Sequence, residues 1–423
     1  MSHKTLVSEL GEWLIDQALD DPDMETMFDH VCQRLYSLGV PLSRARLTWP
    51  TLHPLFGAET VLWKRGESTV FEQFEHQDKE TPSWDASPMK FMLDHEISVL
   101  RRRLTGDNQQ LDFPILEDLM NEGDTDYVII STEFITRAKL KSRNKSGLFV
   151  SWASDRPNGF SDDDIAALQK IQRRFSAACK TAIQSRIADN IVTTFLGPQA
   201  GKQVLDGAIR RGDGRETKAV VWYSDLRNST ALADTMPPED YISMLNEYFE
   251  CTAGPVVEAG GEVLDFIGDA VLAIFPFEGS DQLQDAARAA SQALKNSLTQ
   301  ADALNAERKK KGEIPITFGV GLNTGRVMFG NIGVPQRLTF SVIGPTVNEV
   351  ARIEAMTKAV ESRALVTRAI ASVEPDKWKS TGSHRLEGVA KQIELFAPST
   401  EETTDIAGST ARSAEPEEAI FLN

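Results

Sequence analysis

Two apolar runs, 263–267 and 270–275, break and restart around Gly268-Asp269. Short runs rich in Val, Ile and Phe about a Gly-containing pair predict a hairpin, with Asp269 lifted to the rim of a sheet. Upstream, Leu6, Leu10, Trp13, Leu14 and Ala18 recur on one face of a helix over 5–20, and a second helix over 24–38 stops at Gly39-Val40-Pro41. Residues 43–74 change to short strand-like pieces (ARLTW, TVLWKR, STVFEQF). A helix is expected over 88–103, its solvated end marked by Arg101-Arg102-Arg103. Strands follow at 126–134 and 146–153, and Ser161 with Asp162, Asp163 and Asp164 starts a long helix reaching about 188.

Residues 186–217 read as a linker, a helix followed by Phe195-Leu196-Gly197-Pro198 and the hinge-like GAIRRGDGRET. Over 218–398 strands and helices alternate again: strand 219–223, helix 238–258, the hairpin, helix 281–311, strands 316–322, 327–330 and 338–343, helix 346–359, then strands 364–367 and 392–396. The pattern is βαββαβ, an α+β layer with helices over one sheet. The polar, acidic stretch 399–423 has no periodicity and is expected to be a disordered tail.

A chain of 423 residues is long enough for two or three domains. Its 45 Lys+Arg against 62 Asp+Glu give a net charge of −17, a surface that repels phosphate backbones and argues against nucleic-acid binding. With 41% hydrophobic residues and a mean hydropathy of −0.28, it has the composition of a soluble globular protein. Cys32, Cys179 and Cys251 are scattered, as a reducing compartment allows, and the six histidines form no HxxxH pair, which argues against zinc. The opening MSHKTLVSELGEWLIDQAL is amphipathic with early acids, unlike a secretory signal, and no apolar run approaches a membrane span. The expectation is a cytoplasmic protein.

An aspartate in a turn is ordinary; what singles out Asp269 is a second strand-end aspartate. Asp225 follows the apolar run AVVWYS directly, and Leu226, Arg227, Asn228, Ser229 and Thr230 then turn into a helix. Backbone N–H groups at such a turn favour a polyphosphate. If the two strands are neighbours, the carboxylates of Asp225 and Asp269 meet at one rim and suit two divalent ions, Mg²⁺ or Mn²⁺. Pro345 starts the next helix, in which Asn348 and Arg352, spaced i, i+4, share a face. An amide and a guanidinium together can orient a ribose and stabilise charge on a phosphorane.

The collinear segments SDLRNST, FIGDAVLAIF, GLNTGRVMFGNIG and SVIGPTVNEVARIE resemble the catalytic domain of class III nucleotidyl cyclases over 218–398. That resemblance implies a ferredoxin-like βαββαβ domain. It implies Asp225 and Asp269 as metal ligands, Asn348 on the ribose, Arg352 on the transition state, and a phosphate-tail cation near Arg385 or Lys391. The implied reaction closes a nucleoside triphosphate on its own 3′-hydroxyl and releases pyrophosphate. It also implies a head-to-tail homodimer, because metal and Asn/Arg residues of one site come from different copies. Residues 1–185, helices framing an antiparallel sheet with a closing helix, resemble more loosely a GAF-type sensory domain, which implies a small-molecule or protein input.

Base recognition departs from the family pattern. Adenylate-selective members carry lysine and Asp or Thr where this chain has Asp265 and Ser341. Aspartate only accepts hydrogen bonds: Asp265 suits an adenine N6 amine with Ser341 donating to N1, and equally guanine N1–H and N2–H₂. Family frequency alone favours ATP. A guanylate or other NTP cyclase, and a catalytically silent cyclase-homology module that binds nucleotide or only dimerises, are the alternatives. A diguanylate cyclase would need a GGDEF-like hairpin in place of FIGDA. Asn228 stands where many relatives have Gly; asparagine tolerates positive φ, so the turn is expected to survive.

Overall fold

The chain falls into two units, Met1–Phe195 and Leu196–Asn423, in a computed structural model that describes residues 3–20, 23–76, 81–134, 147–389 and 391–399. Of the tail expected over 399–423, residues 400–423 lie outside the described residues.

The first unit runs α1 (His3–Leu19), α2 (Met24–Ser37), β1 (Arg44–Pro50), β2 (Phe56–Lys64), β3 (Val70–Glu75), α3 (Pro82–Asp85), α4 (Pro88–Asp94), β4 (Val99–Arg103), α5 (Pro114–Asn121), β5 (Asp126–Glu133), β6 (Gly147–Ser154) and α6 (Asp162–Leu196). Its six strands form one antiparallel sheet in the order β3-β2-β1-β6-β5-β4. Alternation decides the faces. In β1, Ala45, Leu47 and Trp49 point into a core shared with Phe28, Leu35, Leu168 and Phe175 of the flanking helices. In β5, Val128 and Ile130 join that core, whereas Tyr127 and Ile129 join a second one with Leu116 and Leu119 of α5. A strand buried on both faces reads as an unbroken apolar run.

The helix expected over 88–103 is corrected. Ser87 caps α4 through the Lys90 N–H, and the helix ends by His95 and Glu96, where φ is 55°. The arginine run is the end of edge strand β4, so its side chains alternate. Arg101 and Arg103 reach the buried Asp126 carboxylate at 2.7 and 3.1 Å, and Arg102 reaches Asp112 at 2.7 Å on the other side. Sequence periodicity missed this because charge on an edge strand serves to blunt it, masking the strand signal.

The second unit runs α7 (Pro198–Leu205), β7 (Gly214–Leu226), α8 (Ser229–Thr235), α9 (Pro238–Glu258), β8 (Glu262–Ile267), β9 (Ala270–Phe277), α10 (Gly279–Lys311), β10 (Phe318–Val334), β11 (Arg337–Ile343), α11 (Pro345–Ala359), β12 (Ala364–Thr367), α12 (Arg368–Ala371), β13 (Trp378–His384) and β14 (Ile393–Pro398). The sheet order is β13-β14-β12-β10-β7-β9-β8, with β11 paired to the distal part of β10. The hinge-like residues 214–217 are the first part of β7, paired with Phe329, Met328 and their neighbours on β10. The pieces expected at 316–322 and 327–330 are one 17-residue strand.

Alternation along β7 sends Val220 and Trp222 to a core under α9 and α10. Ala219 and Val221 go to the opposite face, with Leu272, Ile274 and Val350 of α11. β10 is the bed on which α11 lies. A Cβ on Gly321 would stand 2.7 Å from the Val350 carbonyl oxygen and 2.8 Å from the Glu354 nitrogen. Helix and strand backbones are therefore too close for any side chain between them, and Gly321→Ala should cost about 1–3 kcal/mol, as overpacking does. Urea unfolding of the full chain checks this; an unchanged midpoint would contradict the close approach.

Candidate active site

Asp225 continues the parity of Ala219 and Val221, so its carboxylate leaves β7 on the face that α11 covers. Antiparallel pairing places Asp225 opposite Ala270, the first residue of β9. Gly268 has φ +66°, which the first central residue of a type II′ hairpin requires, and it seats Asp269 next to Ala270. The two carboxyl groups thus meet at one rim, as the sequence pattern requires.

Their electrostatics record the crowding. Asp225 is pushed up to about 6, first by burial and then by a hydrogen bond to Asp269 and its charge, with Lys358 and Arg227 pulling the other way. Burial raises the Tyr223 phenol, with Asp225, Glu354 and Asp269 adding to it. Burial likewise lifts Glu354 to about 7, outweighing Arg227 beside it. A half-buried like-charge pair of this kind is chemically suited to hold a divalent cation. Among the described residues no group of three or more His, Cys, Asp or Glu is arranged to hold a metal. Two carboxylates are hard oxygen donors of the kind Mg²⁺ and Mn²⁺ take, with phosphate and water completing the shell.

The turn after Asp225 divides its labour. Leu226 is core. The Arg227 N–H donates to the Thr317 carbonyl at 2.8 Å, and its guanidinium turns inward to Glu354 and Thr357, so both parts of Arg227 already have partners within the protein. Asn228 has φ 59° and ψ 23°, the left-handed geometry expected of it. Ser229 and Thr230 open α8, which has no side-chain cap.

Asn348 and Arg352 are exposed on α11; Arg352 makes only a loose 3.7 Å approach to Glu387. Glu354 and Thr357 lie on the opposite, buried side of the same helix, against Arg227. At 100° per residue, Glu354 is about 240° around from Asn348. The structure therefore brings Asp225 and Asp269 together but turns Asn348 and Arg352 away from the helix face nearest Asp225. Asp265, opposite Leu272 just past a bulge on β8, and Ser341, opposite Gly330 on β11, are half-buried. Their strands come near one another, with Leu264 and Phe340 packed against the same apolar cluster, and among the described residues neither side chain makes a hydrogen bond. Arg385 and Lys391 are exposed. Sequence reasoning missed Glu354; its signal was an acid at a position that the Val350–Ile353 stripe marks as buried.

Because Asp225 ionises near 6 in the folded chain instead of 3.8, its contribution to stability is full below about pH 4 and is lost as pH rises through about 6. Asp225→Asn keeps a hydrogen-bond donor for Asp269 and removes the repulsion. In EDTA at pH 8 it should raise Tm by about 2–4 °C, and the gain should vanish at pH 4. A lower Tm for the variant at pH 8 would contradict the repulsion.

Residues 214–395 match the family model for the adenylate and guanylate cyclase catalytic domain. An adenylate cyclase of Anabaena cylindrica is 29% identical over 221 residues, covering 49% of this chain and 42% of that protein. Uncharacterized protein MT1361 of Mycobacterium tuberculosis is 29% identical over 244 residues, covering 56% of this chain and 41% of that protein. The chain thus spans about two-fifths of the length of these relatives. Among solved structures, the guanylyl cyclase Cya2 is 27% identical with a TM-score of 0.39, covering 44% of this chain and 93% of that one. The adenylyl cyclase CyaB from P. aeruginosa is 23% identical with a TM-score of 0.38, covering 44% and 95%. No helix among the described residues is long and apolar enough to cross a membrane. With the two strand-end aspartates at one rim and the family match on the same residues, the segment 214–395 is a class III adenylate/guanylate cyclase catalytic domain.

Proposed function

We propose that the chain converts ATP to 3′,5′-cyclic AMP and pyrophosphate at two equivalent sites, each shared between two copies of the chain. The observation that carries this is the division of residues: Asp225 and Asp269 converge on one rim, while Asn348 and Arg352 stand exposed on the side of α11 away from Glu354 and Arg227. Groups that face different directions in one copy suit a site closed by a head-to-tail pair.

Asp225 and Asp269 would hold two divalent cations, Mg²⁺ or Mn²⁺. When bound, these lower the pKa of the 3′-hydroxyl and neutralise the phosphates. Asn348 from the second copy fixes the ribose so that the 3′-oxygen faces the α-phosphorus. Arg352 places a guanidinium against the charge that grows on the α-phosphoryl oxygens. The 3′-oxygen bonds to the α-phosphorus, the bond to the bridging oxygen of the β-phosphate breaks, and pyrophosphate leaves while the hydroxyl proton passes to solvent. The free N–H groups of the first turn of α8, at Ser229 and Thr230, suit the departing phosphates. Lys391 or Arg385 would meet the end of the phosphate tail.

Asp265 and Ser341 would read the base: Asp265 accepts from the adenine N6 amine and Ser341 donates to N1. The activity named for the Anabaena cylindrica relative supports ATP. The second reading is GTP, since Asp265 equally accepts from guanine N1–H and N2–H₂. The first unit would act as a GAF-like input; its six-stranded antiparallel sheet, covered by helices on both faces and closed by α6, supports this. The strand order β10-β7-β9-β8 around helices α9 and α10 supports the ferredoxin-like description. Three unpaired cysteines support a cytoplasmic location.

Purified full-length protein with Mn²⁺ and ATP, GTP, CTP or UTP separately should yield cyclic AMP from ATP fastest, identified by product mass. Asp269→Ala should lower turnover by about a thousandfold or more without unfolding the chain. Cyclic GMP as the main product would move the reading to GTP; no cyclic nucleotide from any substrate would leave a silent homology module.

A further inference from the structure

Behind Asp225 lies a charged pair that the reaction itself does not use. Arg227 Nη1 stands 3.0 Å from Glu354 Oε1, with both side chains largely withdrawn from water. Arg227 Nη2 donates to Thr357 Oγ1, and Thr357 in turn donates to the Glu354 carbonyl oxygen. The space for this cluster is made by Gly319, which faces Asp225 across the sheet register. A Cβ there would overlap Arg227 Nη2, Glu354 Oε1 and Thr357 Oγ1 together. The Arg227 N–H is anchored separately on Thr317. Arg227 is thus held at both ends, two residues from Asp225, and one of those ends is helix α11.

Burying two charges is costly, and a well-packed apolar pair of similar volume would stabilise the fold at least as well. Stability is therefore a weak reason for this arrangement. Position is a better one. The pair joins the strand end bearing Asp225 to one side of α11, and the other side of that helix presents Asn348 and Arg352. In the shared-site reading, those two groups serve different sites. We propose that Arg227, Glu354 and Thr357 are positioning residues that fix Asp225 in one site and, through α11, Asn348 and Arg352 in the other, so that the two sites of the dimer are mechanically joined. This rests on the shared-site reading of the catalytic domain.

The test uses full-length protein with Arg227→Met/Glu354→Leu, an apolar replacement expected to fold, and Thr357→Val as a milder second variant. Titrating Mn²⁺ alone and following the free ion by electron paramagnetic resonance, the double variant should bind about tenfold more weakly, the usual cost of losing a group that orients a metal ligand. Mixed dimers separate the two roles. One copy carries Asn348→Ala/Arg352→Ala and the other Asp269→Ala, which leaves one complete site. Adding Arg227→Met/Glu354→Leu to the copy that supplies Asp225 should raise the Mn²⁺ requirement about tenfold. Adding it to the copy that supplies the helix should lower kcat about tenfold with the Mn²⁺ requirement unchanged. Thr357→Val should move both quantities in the same directions by a smaller factor. Unchanged Mn²⁺ affinity, or the same loss of kcat from either placement, would reduce the pair to packing and overturn the proposal. An active homodimer whose mixed dimer is inactive would instead remove the shared site, and with it the bridge between sites.

Discussion

Everything at the rim follows from two like charges held at neighbouring strand ends. Antiparallel pairing of β7 with β9 sets Asp225 beside the turn that carries Asp269, and partial burial weakens the screening of their charges by water. The folded chain records the conflict as an Asp225 carboxyl pushed up to about 6. In the proposed reaction, a pair of divalent cations brought with a triphosphate would relieve the conflict, and one or two carboxylates are what magnesium-type sites take from a protein.

The second constraint is how closely α11 lies on β10. Gly321 removes the side chain that would hold the two backbones apart, and Gly319 leaves room for the Arg227, Glu354 and Thr357 side chains. The helix consequently has an inner side of Val350, Ile353, Glu354 and Thr357 and an outer side that carries Asn348 and Arg352. Sheet, charged pair and helix pack together, so that the Asp225/Asp269 rim and the Asn348/Arg352 side of α11 belong to one copy but face different directions. In the proposed function, a second copy brings the two kinds of group to one nucleotide.

Much of this was legible in the residues. The split apolar runs around Gly268-Asp269 gave the hairpin, Pro345 and the i, i+4 pair gave α11, and positive φ at Asn228 followed from its side chain. What the pattern hid were features set by tertiary contact. The arginines at 101–103 read as a helix end, yet they form an edge strand, because their partners Asp126 and Asp112 lie 23 and 10 residues away in sequence. Residues 214–217 read as a hinge because glycine and charge signal a loop, although pairing with β10 over its whole length makes them strand. Arg227 read as a phosphate ligand from its place in the turn; only the fold reveals that Glu354, far along the chain, claims it.

The central claim is that Asp225 and Asp269 jointly cage cations against a nucleotide tail. Anomalous diffraction from crystals grown with Mn²⁺ and a non-cyclising ATP analogue tests it most directly. The account predicts two manganese peaks about 3.5–4 Å apart, both in contact with the carboxylates of Asp225 and Asp269 and with phosphate oxygens, and with Asn348 and Arg352 of a second copy on the ribose side. Manganese bound elsewhere, or a nucleotide whose phosphates avoid that rim, would contradict it.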